Sequence, residues 1–144
     1  MKIFRFLLAV VVGLVVGSVV NMAFIMMSGK VIAPLAGANV TTMEGLKAAM
    51  PLFEAKHFLF PFLAHAVGTL VGAFVAGLLA PNKSAVPSYV VGALFLAGGI
   101  ANVIILPSPA WFTAAKLSLA YLPAAWIGRA AAVSALARRS PASS

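Results

Sequence analysis

The sequence predicts an all-α fold, namely a four-helix transmembrane bundle with a short amphipathic surface helix in its first outer loop. Hydrophobic residues make up 63% of the 144 residues, and charged residues only 8%. A soluble domain carries about 25% charged residues, so this composition indicates that lipid surrounds the chain. Four apolar runs reach the roughly 20 residues that a helix needs to cross a bilayer. We predict one integral membrane domain over 1–137 and a disordered cytoplasmic tail over 138–144.

Charges, prolines and turns set the limits of the four predicted spans, which cover 3–27, 57–80, 86–106 and 111–132. Lys2 and Arg5 at the start of the first run also fit a signal peptide. The run is longer than the apolar part of a signal sequence, which has about 7–15 residues, so we predict a retained span. Pro81 ends the second run, and a proline-rich turn at 107–109 separates the third from the fourth.

The connection between the first two spans contains TTMEGLKAAM, which predicts a short helix. Thr41 and Glu44 have the spacing of a capping box, in which the hydroxyl and the carboxylate each accept from a backbone N–H. Met43, Leu46 and Met50 recur at helical spacing. The helix is therefore predicted to lie flat on the membrane surface.

The orientation of the spans is predicted from the Lys and Arg residues in the loops, which are more frequent on the cytoplasmic side. With the N-terminus inside, the inner side holds Lys2, Arg5, Lys83, Arg129, Arg138 and Arg139. The outer side then holds Lys30, Lys47, Lys56 and Lys116. Both termini are therefore predicted to be cytoplasmic. Arg129 lies inside the fourth run and is predicted to extend its side chain to the inner surface.

Small residues recur at helical spacing in the apolar runs and predict where the helices meet. In lipid, helices associate through close backbone packing and polar contacts, because burying apolar surface gains little there. The predicted packing residues are Gly13, Gly17, Gly68, Gly72, Gly98 and Gly128. Such a pattern fits packing within one chain or homodimerisation, and we favour packing within one chain.

A layer of polar residues is predicted in the outer half of the bundle. His65 shares a helical face with Gly68 and Gly72, so it should point inward. The layer comprises His65, Asn21, Asn102, Ser118, Thr69 and Tyr121. One interpretation is a hydrogen-bond network that fixes helix register, in which His65 bonds to an amide or to Ser118. The other is a cavity, open to the outside, that binds a ligand or passes a proton. Pro123 should kink the fourth span and widen the layer.

Several chemistries are not predicted. The chain has no cysteine, which excludes disulfides and thiolate metal sites. His57 and His65 would lie about 12 Å apart along one helix, too far for a shared metal ion. No phosphate-binding loop, nucleophile elbow or paired-histidine zinc motif is present. We predict no metal site, no cofactor and no enzymatic activity.

Three stretches resemble an uncharacterised group of short bacterial four-span integral membrane proteins. They are TMEGLKAAM, KHFLFPFLAHAVGTLVGAFVAG and GGIANVIILPSPAWF followed further on by AYLPAAW. The resemblance covers most of the chain. It implies four spans and a location in the bacterial inner membrane, and it implies no activity.

Three functions fit these observations. The one we favour is a non-catalytic accessory or assembly subunit of a larger membrane complex. The alternatives are a small oligomeric transporter or channel with an outward-facing polar cavity, and a membrane protein that binds a cofactor such as haem through His65. The shortage of acids argues against the cofactor protein and against proton-coupled transport. The expected partners are the lipid bilayer and either another membrane protein or a second copy. The basic residues form no stripe for nucleic acid.

Overall fold

The computed structural model describes residues 1–139, which are helical throughout apart from short connections. The six α-helices are α1 (Lys2–Val31), α2 (Met43–Ala49), α3 (Leu59–Leu79), α4 (Val86–Ile105), α5 (Ala110–Leu119) and α6 (Leu122–Arg139). Short 3₁₀ turns occupy Met50–Leu52, Ala55–Phe58 and Pro81–Lys83. No strand occurs among the described residues, so the predicted all-α class is confirmed.

Four helical segments are long and apolar enough to cross a membrane: Lys2–Val31, Ala55–Leu79, Val86–Ile105 and Ala110–Arg139. They correspond one to one with the four predicted spans. The fold is therefore that of a multi-pass membrane protein by the length and composition of its helices. The fourth segment combines α5 and α6.

The central helix of the bundle is α3, which contacts each of the other long helices. Both α1 and α6 pack against α3 and also against α4. Gly13 of α1 lies against Gly72 of α3, and Gly17 lies against Gly68, so these two helices run antiparallel. The connections from α3 to α4 and from α4 to α5 are short, so these successive spans also alternate in direction.

The fourth segment is interrupted between α5 and α6. The amide of Ala120 still bonds to the carbonyl of Lys116 and that of Ala125 to Tyr121, but α5 ends at Leu119 and α6 begins at Leu122. Pro123 carries no N–H and cannot continue the ladder of backbone hydrogen bonds across this point. The predicted kink at Pro123 is thus confirmed as a break just before the proline.

Several predicted boundaries differ from the structure. The first span ends at Val31 instead of 27, and the fourth continues to Arg139 instead of 132. The α-helix of the second span starts at Leu59 instead of 57, because a 3₁₀ turn at Ala55–Phe58 precedes it. The predicted disordered tail over 138–144 overlaps α6, which includes Arg138 and Arg139. Residues 140–144 lie outside the described residues.

The short helix α2 forms as predicted, with two corrections. Its N-cap is Thr42, whose hydroxyl accepts from the amide of Gly45 at 3.1 Å, while Thr41 instead donates to the Asn39 side chain. The predicted capping box is also wrong, because the third residue after Thr42 is Gly45, which has no side chain to complete it. Leu46 packs against a buried apolar cluster of the bundle, and the position of α2 on the membrane surface stays a prediction.

Candidate functional site

Glycines bring the backbones of α1 and α3 into direct contact. A β-carbon at Gly13 would lie 2.6 Å from the carbonyl oxygen of Gly72, and one at Gly17 would lie 2.6 Å from that of Gly68. Gly128 of α6 meets the backbone of α3 in the same way, at Leu70. These faces are therefore occupied within one chain, which leaves them unavailable for a homodimer.

Gly98 does not pack as predicted. A β-carbon at Gly98 would meet nothing within 4 Å, whereas one at Gly99 would overlap the Tyr121 side chain. Adjacent residues of a helix point about 100° apart, so only one of the two glycines can face the bundle. The packing residue is Gly99, and Gly98 is exposed.

A cavity of about 280 Å³ lies between α1 and α4, with α3 behind it. We call it the α1–α4 groove, and its lining residues are Leu14, Ser18, Asn21, His65, Leu94, Phe95, Gly98 and Gly99. Asn21 and His65, two members of the predicted polar layer, thus share one cavity. The side-chain oxygen of Asn21 is buried and has no hydrogen-bond partner among the described residues.

His65 does not make the predicted hydrogen bond. Its ring lies against Tyr121, with ring centroids 5.7 Å apart and planes inclined at 52°. Thr69 and Tyr121 are fully buried, and their hydroxyl groups have no partner among the residues that the structure describes. Two members of the predicted layer, His65 and Tyr121, are therefore in contact without a hydrogen bond between them.

The predicted role of Ser118 is wrong, because this residue is exposed on the outer surface of α5. The side chain that faces inward is Lys116, two residues earlier and about 200° away around the helix. Sequence reasoning had assigned Lys116 to the outer membrane surface. Lys116 precedes Ala120 by four residues, so it lies on the same helical face as the small-residue stripe that continues to Gly128. This spacing is the signal in the sequence that could have identified Lys116 as an inward-facing residue.

Lys116 is buried among neutral groups. Its side chain is 2% exposed, its ammonium donates to the Oδ1 atom of Asn102 at 3.2 Å, and it lies 5.4 Å from the centre of the Phe112 ring. Lys116, Asn102, Tyr121, His65 and Thr69 together form what we call the polar core. It contains the amine of Lys116 and no carboxylate.

Aromatic rings close the end of the bundle next to Lys116. They form the aromatic cap, which comprises Phe53, His57, Phe58, Trp111 and Phe112. Phe58 is 3% exposed, and its ring centroid lies 4.6 Å from that of Phe112. The ring centroids of His57 and Phe53 are stacked 5.1 Å apart. Because Phe58 in the same connection contacts Trp111 and Phe112, the cap joins the connection after α2 to the start of α5.

The polar groups near the cap have defined partners. The Nδ1 atom of His57 accepts from the amide of Glu54 at 3.0 Å, which leaves its other ring nitrogen to carry the proton in the neutral form. The Glu54 carboxylate pairs with Lys56 at 3.0 Å. The hydrogen bond and the charge of Lys56 hold the pKa of the Glu54 carboxyl below its ordinary value. The ion-pair partner of Glu54 is therefore Lys56, its neighbour in the same connection.

Arg129 ties the inner ends of the helices together. Its guanidinium donates to the carbonyl of Lys83 at 2.8 Å, in the turn between α3 and α4. The extension of Arg129 to the inner membrane surface stays a prediction. Ser88, fully buried nearby, donates to the carbonyl of Ala73 at 2.8 Å.

Among the described residues, buried polar atoms without partners lie in the polar core, in the α1–α4 groove and on the Arg129 guanidinium. The polar core combines an amine with hydroxyl, amide and imidazole groups, and the groove combines small residues with an amide and an imidazole. Comparison of the chain with protein-family models, with curated proteins and with solved structures found no match.

Proposed function

We propose that this chain is a non-catalytic accessory or assembly subunit of a larger complex in the bacterial inner membrane. On this proposal both termini are cytoplasmic, and a transmembrane helix of a partner protein packs in the α1–α4 groove. The excess of Lys and Arg on the inner side supports the orientation. The sequence resemblance supports the location.

One observation carries the proposal: the groove combines a small-residue wall with polar groups that lack partners. Ser18 and Gly98 are exposed on its walls, and a β-carbon at Gly98 would meet nothing within 4 Å. Small residues let the backbone of a second helix approach closely. Asn21 and His65 would then hydrogen-bond to that helix, since a polar group facing hydrocarbon is costly without a partner.

Co-purification from native membranes tests this proposal. A tagged wild-type chain in mild detergent should retain a membrane partner in fixed proportion. Gly98→Leu fills the groove and should lose the partner. Ala93→Leu is the matched control, because Ala93 is also exposed on α4 but does not line the groove. The control should retain the partner.

Two results would contradict the proposal. The first is that no partner is retained, and the second is that Gly98→Leu and Ala93→Leu retain it equally. Retention of a second copy of this chain would instead favour a homo-oligomer. The comparison thus separates an accessory subunit from a self-associating protein.

A small oligomeric transporter or channel is the second candidate, and the buried charge of Lys116 favours it. Charged residues inside membrane-spanning segments commonly mark a path for ions or substrates. Purified protein in sealed vesicles should then allow flux of a small solute, whereas an accessory subunit alone should leave the vesicles sealed.

A further inference from the structure

No acid among the described residues pairs with Lys116. The chain's two acids are Glu44 and Glu54, in the connection between α1 and α3. Glu54 pairs with Lys56, and the hydrogen-bond partner of Lys116 is the neutral side chain of Asn102. Burying an ammonium without a counter-charge is costly. The position therefore favours a negative charge from outside the chain.

Further unused hydrogen-bond donors lie on α3 and at the start of α6, and both of these helices contact α5. An ammonium has three N–H groups, and the Asn102 oxygen accepts one of them. The hydroxyl groups of Tyr121 and Thr69 are buried without partners among the described residues. Tyr121 packs on Gly99, which precedes Asn102 by three residues on α4. Three residues span about 4.5 Å along a helix axis, so Tyr121 and Lys116 contact α4 at points about that far apart.

We propose that the polar core binds a small monovalent anion, of the size of chloride or formate. Lys116 supplies the charge and the hydroxyl of Tyr121 supplies a hydrogen bond. The route inward is the α1–α4 groove, whose lining includes Gly99 and His65, both in contact with Tyr121.

The burial of Lys116 favours a diffusible anion over a carboxylate on a partner helix. Its side chain is 2% exposed and lies beneath the aromatic cap. A carboxylate anchored to another backbone would have to displace packed residues to reach it, whereas a small ion needs an opening only of its own size.

Thermal unfolding of the full-length protein in uncharged detergent tests the anion site. The ionic strength is held constant while sodium gluconate, whose anion is too large for the core, is replaced by sodium chloride or sodium formate. A ligand that binds the folded state raises the melting temperature as its concentration increases. The wild-type melting temperature should rise with chloride and with formate.

Three variants locate the effect. Lys116→Met should abolish the dependence on the anion, whereas Lys47→Met, the same change at an exposed lysine of α2, should leave it intact. Tyr121→Phe keeps the ring and should weaken the apparent affinity by about 2- to 10-fold, the loss expected for one hydrogen bond.

Equal melting temperatures of the wild type in gluconate, chloride and formate would overturn the proposal. So would an undiminished anion effect in Lys116→Met. If Lys116→Met does not fold, Tyr121→Phe decides the question, because an unchanged affinity in that variant would contradict the assigned site.

Discussion

Gly72 and Gly98 are both glycines of long helices, but Gly72 packs against another helix and Gly98 is exposed. A β-carbon at Gly72 would lie 2.7 Å from the carbonyl oxygen of Gly13, a backbone atom that cannot rotate away. One at Gly98 would meet open space. We expect Gly72→Ala to lower the free energy of unfolding in detergent by about 1–3 kcal/mol, the usual cost of overpacking. Gly98→Ala should be neutral or stabilising, since alanine favours the helix.

The contrast between the two glycine variants is the informative quantity. Both add one methyl group to a helix interior, so differences in helix propensity cancel. Equal changes in unfolding free energy would contradict the close contact between α1 and α3.

The hydrogen bond from Lys116 to Asn102 should stabilise the bundle. Asn102→Leu keeps the approximate volume but leaves the ammonium without its acceptor. We expect it to cost about 1.5–3 kcal/mol, as hydrogen bonds to charged groups do. Adding Lys116→Met to this variant should restore most of the loss, because it removes the unpaired charge. Unfolding of the two single variants and the double variant measures this coupling.

Additive effects of the two substitutions would show that the bond does not couple them. The anion concentration is held constant across the series, since a bound anion would also act on Lys116.

Single residues of the site were only partly predictable from the sequence. His65, Thr69 and Tyr121 were assigned to one layer because they share depth, and they do lie together. Ser118 was assigned on depth alone, and depth does not tell which side of a helix a residue occupies. Lys116 was missed because its charge suggested the membrane surface, although its register with the small-residue stripe pointed inward.

Among the connecting elements, the aromatic cap fastens the segment after α1 to the bundle. Phe58 is 3% exposed and contacts Phe53, Trp111 and Phe112. We expect Phe58→Ala to cost about 3–5 kcal/mol, as is typical of a buried phenylalanine. It should also free α2 locally, so trypsin should cut faster after Lys47 in folded protein.

Leu52→Ala is the matched control for the cap, because Leu52 is in the same connection but is 68% exposed. It should change neither stability nor the rate of cleavage after Lys47. If Phe58→Ala were cut no faster than this control, the cap would not be what holds α2.

At the scale of elements, the sequence predicts that a helix is present better than it predicts the residues at which the helix begins and ends. The length of each apolar run was enough to identify all four long helices, and Pro123 was enough to locate the break between α5 and α6. The 3₁₀ turn at Ala55–Phe58 could not be predicted, because it depends on His57 stacking on Phe53 and bonding to a backbone amide. Tertiary contacts of this kind leave no periodic pattern in the sequence.

At the scale of the molecule, the number of spans followed from composition, but the central position of α3 did not. Glycine spacing shows which face of a helix packs and not which helix it meets. The partner of the Gly13 stripe could have been a second chain, and its contact with Gly72 within the same chain is known only from the fold. The antiparallel order of α3, α4 and the fourth segment, in contrast, follows from the short connections between them.

The most direct test of the account is the sidedness of two connections in intact cells. The chain has no native cysteine, so single variants at Asn39, between α1 and α2, and at Ser84, between α3 and α4, can be probed with a membrane-impermeant thiol reagent. The account predicts that Asn39→Cys is labelled in intact cells and that Ser84→Cys is labelled only after the membrane is opened. Labelling of both in intact cells would show that the second span does not cross the membrane, and labelling of Ser84→Cys alone would show the opposite orientation.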